Sequence, residues 1–122
     1  MNTSPHLKLG KKGEQLAIDY LTQKGYTILA SRWKYKHKEI DIIATHNDTL
    51  VIIEVKTRKT ASFGTPLEAV NTKKQQFLAE AAEAFIENYR NFSEIRFDII
   101  AIVFDKQKET IEHIENAFIP GL

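Results

Sequence analysis

Two neighbouring apolar segments carry carboxylates in a pattern that suits metal-assisted chemistry. Residues 39–45 (EIDIIAT) and 50–56 (LVIIEVK) are separated only by HNDT at 46–49. Both segments have the composition of β-strands, and the short linker predicts an antiparallel hairpin in which Asp41 lies opposite Glu54. Because opposed carboxylates repel each other, the pair favours a bound divalent cation such as Mg²⁺, which prefers oxygen ligands.

Side-chain alternation divides this hairpin into an apolar face and a mixed face. The face predicted to join the core consists of Ile40, Ile42, Ala44, Val51, Ile53 and Val55. The mixed face carries Asp41 and Glu54, and it places Glu39 opposite Lys56. A second interpretation therefore stays open, in which Lys56 and a nearby Arg neutralise a purely structural cluster of acids.

Helical and strand patterns surround the hairpin. A first helix is predicted from Gly10 to Lys24, with Gly25 as its terminator and Glu14 on its inward side. An inward acid usually has a charged partner, although an acid in the first turn also suits the helix dipole. A strand is predicted from Tyr26 to Tyr35, immediately before the hairpin.

The second half predicts a helix followed by two strands. Thr65 has the sequence context of an N-cap, with Pro66 next and Glu68 completing a capping box, so the helix is expected to run from there to about Tyr89. Its predicted buried stripe comprises Val70, Phe77, Ala81, Phe85 and Tyr89. Residues 97–104 and 110–114 are predicted strands. The resulting order, α-β-β-β-α-β-β, predicts an α/β fold with a mixed sheet and helices packed on it.

Positive charge is concentrated in the half of the chain that contains the hairpin. Residues 1–74 hold 13 Lys and Arg against 7 Asp and Glu, whereas residues 75–122 hold 4 against 9. Within residues 32–38, four cations alternate with three rings, so a strand would carry Arg32, Lys34, Lys36 and Lys38 on one face and Trp33, Tyr35 and His37 on the other. Such a stripe suits a phosphodiester backbone, and it equally suits an edge strand protected by lysines.

Length and composition set the broad class. The chain has 122 residues, 43% of them hydrophobic, which predicts one globular domain over residues 10–122 after a loose tail at 1–9. It contains no cysteine, which excludes disulfides and thiolate metal sites. No apolar run reaches membrane length and no signal-peptide core is present, so a cytoplasmic protein without membrane contact is expected.

The ordered set of motifs resembles the PD-(D/E)XK nuclease superfamily. More closely, it resembles the bacterial YraN family, relatives of archaeal Holliday junction resolvases. The segments that carry this resemblance are Gly13-Glu14, Glu39-Ile-Asp-Ile-Ile-Ala44, Glu54-Val-Lys-Thr-Arg58, Phe63-Gly64, Pro66-Leu-Glu-Ala-Val70 and Arg96-Phe-Asp98. The resemblance implies a restriction-endonuclease-like core and a metal-dependent endonuclease acting on DNA, with branched or structured DNA as the expected substrate class.

The resemblance also implies roles for particular residues. Asp41 and Glu54, with the Val55 carbonyl and Glu14, are the expected ligands of one or two Mg²⁺ or Mn²⁺ ions. Lys56 is expected to orient the attacking water or to stabilise the developing charge. The expected nucleic-acid contacts are Arg32, Lys34, Lys36, Arg58, Lys73 and Lys74.

Other interpretations remain open beside the nuclease. A non-catalytic nucleic-acid-binding module would keep the fold and use the acids structurally. A homodimer is a further expectation, because a two-fold assembly suits branched substrates. Arg96 and Asp98 match a family signature, and an internal ion pair accounts for them as well as catalysis does.

Overall fold

A five-stranded mixed sheet carries one α-helix on each face. The structure is a computed structural model that describes residues 5–59, 64–89, 92–105 and 108–120. The elements in chain order are α1 (Pro5–Gln23), β1 (Thr27–Tyr35), β2 (Lys38–His46), β3 (Thr49–Arg58), a 3₁₀-helix (Pro66–Ala69), α2 (Thr72–Ile86), β4 (Glu94–Asp105) and β5 (Lys108–Ile114). Phe63 of the resemblance motif lies outside the described residues.

The sheet has the strand order β1-β2-β3-β4-β5. The strands β3 and β4, which α2 connects, pair in parallel, and the other neighbours pair antiparallel. The predicted α/β class, the mixed sheet and the order of helices and strands are therefore confirmed, and the arrangement is consistent with a restriction-endonuclease-like core. Within the described residues, no helix is long and apolar enough to cross a membrane.

Helix α1 covers one face of the sheet, hereafter the α1 face. Ala17 and Leu21 pack there against strand residues that include Ile42, Val51 and Ile53. The helix begins at Pro5, so residues 5–9 of the expected loose tail are helical.

The predicted terminator of α1 is confirmed. Gly25 adopts a φ of +92°, which is costly for residues with a Cβ atom. The N–H of Tyr26 donates to the Leu21 carbonyl at 3.0 Å, and the N–H of Gly25 donates to the Thr22 carbonyl at 3.1 Å. This pair of bonds is the Schellman motif, which satisfies carbonyls at the helix end.

Helix α2 covers the opposite face, hereafter the α2 face, and begins later than predicted. Residues 66–69 form a separate 3₁₀-helix, and α2 starts after Asn71, whose side chain accepts the Lys74 N–H at 2.8 Å. Thr65 makes no capping bond to the backbone, because its hydroxyl donates to the Glu68 side chain instead. The prediction of one helix from Thr65 was wrong because Asn71 supplies a functioning N-cap six residues later.

The buried stripe of α2 is shifted accordingly. Its buried side chains are Leu78, Ala81, Ala82 and Phe85, and Phe77 is only partly buried. Tyr89, predicted as the last buried position, lies beyond the helix end and is 46% exposed. The apolar side chains of this face form the second core cluster, around Ile43, Ile52 and Ile99.

The predicted register of the β2–β3 hairpin is confirmed next to its turn. The paired residues run from His46 with Thr49 to Ile42 with Ile53, as expected for a turn at Asn47 and Asp48. Asn47 takes a φ of +58°, a conformation that Asn tolerates better than most residues.

The regular alternation of β2 breaks at Asp41. Ile40 packs in the α2-face cluster with Ile43, so the prediction that it shares a face with Ile42 was wrong. The neighbouring strand is irregular at the same level, where Arg32 has a φ of +50°. The cause is local: the Asp41 carboxylate accepts the N–H of Val55 at 2.8 Å and replaces a ladder hydrogen bond.

Candidate active site

Asp41 and Glu54 meet where the β2–β3 ladder ends. The last regular pair is Ile42 with Ile53, and both acids lie one residue beyond it. Asp41 is fixed by the Val55 N–H at 2.8 Å, while Glu54 is only 4% exposed. The predicted proximity of the two carboxylates is confirmed, although they meet at a break in the strand pairing.

The electrostatics of this pair are unfavourable without further positive charge. Burial and the nearby Glu54 raise the pKa of Asp41 to about 7, against an opposing hydrogen bond from the Val55 N–H. In addition, Glu54 Oε1 is buried and has no hydrogen-bond partner among the described residues. A buried carboxylate oxygen without a partner costs free energy, so the arrangement favours a ligand that supplies positive charge.

Two lysines partly balance Glu54 from different elements. Lys56 Nζ lies 3.7 Å from Glu54 Oε2, and Lys74 Nζ lies 3.4 Å from the same oxygen. Lys74 was predicted as a nucleic-acid contact near the start of the second helix, and the structure brings it to Glu54, whereas Lys73 is exposed. The signal available in the sequence was Asn71, since a helix capped there begins with Lys74 in its first turn.

Glu14 reaches the neighbourhood of the pair from α1 and is held by Arg32. Its Oε1 accepts from Arg32 Nε at 2.9 Å, and its charge also raises the pKa of Asp41. Arg32, predicted as a phosphate contact, is therefore engaged by an acid. In the described part of the chain, no three or more His, Cys, Asp or Glu side chains converge as metal ligands.

A hard divalent cation fits the chemistry of the remaining donors. Asp41 and Glu54 supply two carboxylates, one of which keeps an unpartnered buried oxygen. Mg²⁺ is commonly held by one or two carboxylates, with waters and substrate phosphates completing its shell. Such an ion would offset the repulsion that raises the pKa of Asp41.

The close approach of α1 to the sheet depends on Gly13. A Cβ atom at this position would overlap the Thr57 side chain on β3, whereas one at Gly10 would meet nothing within 4 Å. The absence of a side chain at Gly13 thus lets the helix carry Glu14 toward Asp41.

We expect Gly13→Ala to destabilise the protein by about 1–3 kcal/mol through overpacking. Gly10→Ala is the matched control in the same helix, and it should be neutral or stabilise by up to about 1 kcal/mol because alanine favours helix. Urea unfolding of both variants gives the comparison. Equal free energies of unfolding for the two variants would contradict the close-packing account.

The predicted cationic stripe is divided between the two faces of the sheet. β1 ends at Tyr35, and Lys36 and His37 form the turn before β2. Lys36 approaches Glu80 of α2 at 3.9 Å, and Lys38 lies 5.6 Å above the Phe77 ring, so both belong to the α2 face. The prediction of four cations on one strand face was therefore wrong.

Lys34, the rings of β1 and Arg58 each contact other parts of the protein. Lys34 pairs with Glu39 across β1 and β2. The predicted pairing of Glu39 with Lys56 was wrong, because the β2–β3 register ends at Ile42 with Ile53. The predicted ring face is confirmed for Trp33 and Tyr35, which pack with the α2-face core. Arg58 donates from Nη1 to the Gly64 carbonyl at 3.0 Å, near Lys56.

Arg96 and Asp98 form an internal ion pair on the α1 face of the sheet, whereas Glu54 lies on the α2 face. Asp98 is fully buried and accepts two bonds from Arg96 at 2.9 Å, one from His113 at 2.7 Å and one from the Asn116 N–H at 2.9 Å. Arg96 also donates to the Tyr26 hydroxyl, which belongs to the α1-face core. The structure thus supports the ion-pair interpretation of this signature.

Comparison with known proteins shows to which family this chain belongs. The family described as "Uncharacterised protein family UPF0102" matches residues 13–102. The chain is 47% identical to a UPF0102 protein of Christiangramia forsetii over 113 residues, covering 93% of this chain and 95% of the relative. It is 48% identical to one of Thermodesulfovibrio yellowstonii over 112 residues, covering 92% and 96%. The chain therefore belongs to the UPF0102 family, the YraN family that its motifs resemble.

Proposed function

We propose that this protein is a metal-dependent endonuclease that hydrolyses phosphodiester bonds in DNA. The observation that carries the proposal is the Asp41–Glu54 pair, in which Glu54 is buried, one of its oxygens has no partner among the described residues, and the other lies near two lysines. Carboxylates and lysines in one cleft provide both a cation site and charge for a phosphate. The family is uncharacterised, so the proposal rests on the site.

Asp41, Glu54 and the Val55 carbonyl would hold Mg²⁺ or Mn²⁺, with Glu14 as the nearest further carboxylate. Such an ion would supply Lewis-acid stabilisation and would lower the pKa of a water bound to it. The protein contributes the rigid placement of Asp41, whose carboxylate the Val55 N–H fixes. It also excludes part of the solvent from the site, and the lower local dielectric strengthens the charge interactions there.

The two lysines act on the phosphate side of the site. Lys56 is 30% exposed and lies within reach of both Glu54 and solvent, so it is placed to orient the attacking water or to stabilise the developing negative charge. Lys74 enters from α2 and would place its ammonium beside a substrate phosphate bound next to Glu54.

The DNA would lie along the α2 face. Lys38 and Lys74 both lie over the ring of Phe77, at 5.6 and 5.4 Å from its centroid, which brings a strand lysine close to the site lysine. Exposed lysines beside a carboxylate site attract a phosphate backbone and release its counterions.

Replacing Lys38 with Glu should therefore weaken DNA binding and lower the slope of log affinity against log salt by about 1. Lys34→Glu is the matched control, because it makes the same charge change on the opposite face of the sheet. Fluorescence anisotropy at several salt concentrations measures both. If Lys34→Glu had the larger effect, the DNA path along the α2 face would be wrong.

A non-catalytic nucleic-acid-binding module is the second candidate. It is favoured by the two lysines that already approach Glu54, since they provide part of the compensation that a structural acid needs. Such a module would bind nucleic acid without requiring a divalent cation.

The deciding experiment is cleavage of a labelled panel of junction, flap, duplex and single-stranded DNA and RNA, with Mg²⁺, Mn²⁺ or EDTA. Wild type should cut DNA only with a cation, and Glu54→Ala should not cut. Glu80→Ala is a matched control, since this exposed acid of α2 is outside the carboxylate pair. Binding without cleavage by wild type under all conditions would favour the non-catalytic module.

A further inference from the structure

A cleft continues from the carboxylate site along the α2 face of the sheet. Lys56 pairs with Ala101 on β4, and Ala101 pairs with Glu112 on β5, so these residues form one row across three strands. The row lies two residues beyond Glu54 along β3, toward the carboxyl ends of the parallel strands. Ligands of open α/β sheets commonly bind beyond these ends.

The cleft is lined by both apolar and charged side chains. It is a partly open cleft with a cavity volume of about 80 Å³, with Ala101, Val103 and Pro66 as apolar walls and Lys56, Arg58 and Glu112 as charged ones. The bond from Arg58 to the Gly64 carbonyl joins β3 to the segment before the 3₁₀-helix and so closes one side. Apolar walls with a few polar groups suit the face and the polar edge of a single flat ring, which the open side of the cleft admits.

We propose that this cleft binds one unpaired nucleobase adjacent to the scissile phosphate. The proposal rests on the proposed nuclease function, and it deepens that function by specifying the substrate class: DNA with an unpaired nucleotide at the cleavage point. Lys56 belongs to both the carboxylate site and the cleft, so a base held there keeps its own backbone near Glu54. A paired base reaches such a pocket only by leaving the stack, which costs least where it is already unpaired.

Glu112 gives the cleft a preference among bases. An ionised carboxylate accepts hydrogen bonds and donates none. Cytosine offers an amino group to such an acceptor, whereas the corresponding position of thymine is a carbonyl oxygen. We therefore expect an unpaired cytosine to bind more tightly than an unpaired thymine.

Binding and cleavage measured separately test the inference. Oligonucleotides with a single unpaired dC or dT, and a continuous duplex, are titrated in EDTA by fluorescence anisotropy and then cut in Mg²⁺. Wild type should bind and cut the unpaired-dC substrate at least about tenfold better than the duplex, because a duplex must first unpair and unstack a base before the cleft can bind it. Ala101→Phe, which fills the cleft, should remove this difference.

Two further variants keep the test independent of folding. Glu112→Gln changes an exposed side chain, and its amide can donate to thymine, so the preference for dC over dT should be lost or reversed. Glu109→Gln is the matched control on the same strand, because Glu109 pairs with Lys12 of α1 on the other face. It should retain the wild-type preference.

Different results would overturn the base pocket and the nuclease function. Equal binding and cutting of the duplex and the unpaired substrates would overturn the base pocket while leaving the nuclease intact. A Glu112→Gln variant with the wild-type base preference would also overturn it. Preferential binding of unpaired dC that Ala101→Phe removes, without cutting by any variant, would support the pocket and exclude catalysis under these conditions.

Discussion

Asp41→Asn should abolish metal-dependent cleavage and, at the same time, stabilise the metal-free protein above neutral pH. We expect the rate to fall at least about a thousandfold, which corresponds to roughly 4 kcal/mol of transition-state stabilisation. Asparagine keeps the side-chain size and an oxygen that can accept the Val55 N–H. It removes the negative charge that a cation requires.

The stability gain follows from the pKa of Asp41, which is raised from 3.8 to about 7 in the folded protein. Between these values the unfolded chain releases the proton while the folded chain retains it, so the wild type loses stability as pH rises from about 4 to about 7. The variant carries no such proton. Its melting temperature in EDTA should therefore match the wild type near pH 4 and exceed it by about 5 °C or more at pH 8.

Circular dichroism melts at pH 4 and pH 8, with cleavage assays in Mg²⁺, measure both parts of this prediction. Asp19→Asn is the matched control, because Asp19 is an exposed acid of α1 that accepts a hydrogen bond from Gln15. It should change neither quantity. An Asp41→Asn variant that fails to fold at neutral pH would support a structural role for the acid pair.

Asp98→Ala should be the most destabilising single change among the acids, costing about 3–5 kcal/mol. The substitution leaves the partly buried Arg96 without the carboxylate that accepts two of its bonds at 2.9 Å. Breaking a buried pair by removing one partner is costly, because the other charge stays partly buried; Arg96 would keep only the exposed Glu115, at 3.3 Å, as a charged partner. The melting temperature should fall by about 10–20 °C.

The direction of the Asp98 pKa agrees with this role. Burial raises the pKa of Asp98. Hydrogen bonds from His113, Arg96 and the Asn116 N–H outweigh this effect and hold the pKa below its usual value. The lowered pKa means that this contribution to stability is present above pH 4 and is lost only as pH falls through the folded-state value. The effect of Asp98→Ala should accordingly shrink in strong acid.

Thermal unfolding together with cleavage by the folded fraction separates structure from catalysis. Asp105→Ala, at the exposed end of the same strand, is the matched control and should change the melting temperature by less than about 3 °C. Cleavage per folded molecule should survive Asp98→Ala at low temperature, because Asp98 belongs to the α1 side of the sheet. Normal stability with no cleavage would instead assign Asp98 a catalytic role.

Local pattern was sufficient for much of the architecture. The period of two in the hairpin specifies its register, because a one-residue slip would bury charge and expose aliphatic side chains. The end of α1 at Gly25 was equally readable, since glycine accepts the positive φ that this helix end needs. The proximity of Asp41 and Glu54 followed from that register.

The composition of the site beyond this pair was decided by contacts between distant elements. Lys74 reaches Glu54 only because α2 begins at Asn71 and packs over the hairpin, and Arg32 is engaged by Glu14 only because α1 approaches the sheet closely. The alternation of residues along a strand predicts which side chains share a face. The charged partner of each side chain depends on which helix covers that face.

The sequence by itself determined the order of elements, the hairpin and its acid pair, since these depend on spacing along the chain. Only the tertiary structure decided that β2 breaks at Asp41 and that the cations of residues 32–38 divide between two faces. The physical reason is that the Asp41 carboxylate takes the Val55 N–H from the ladder, a competition between side chain and backbone that periodicity does not record.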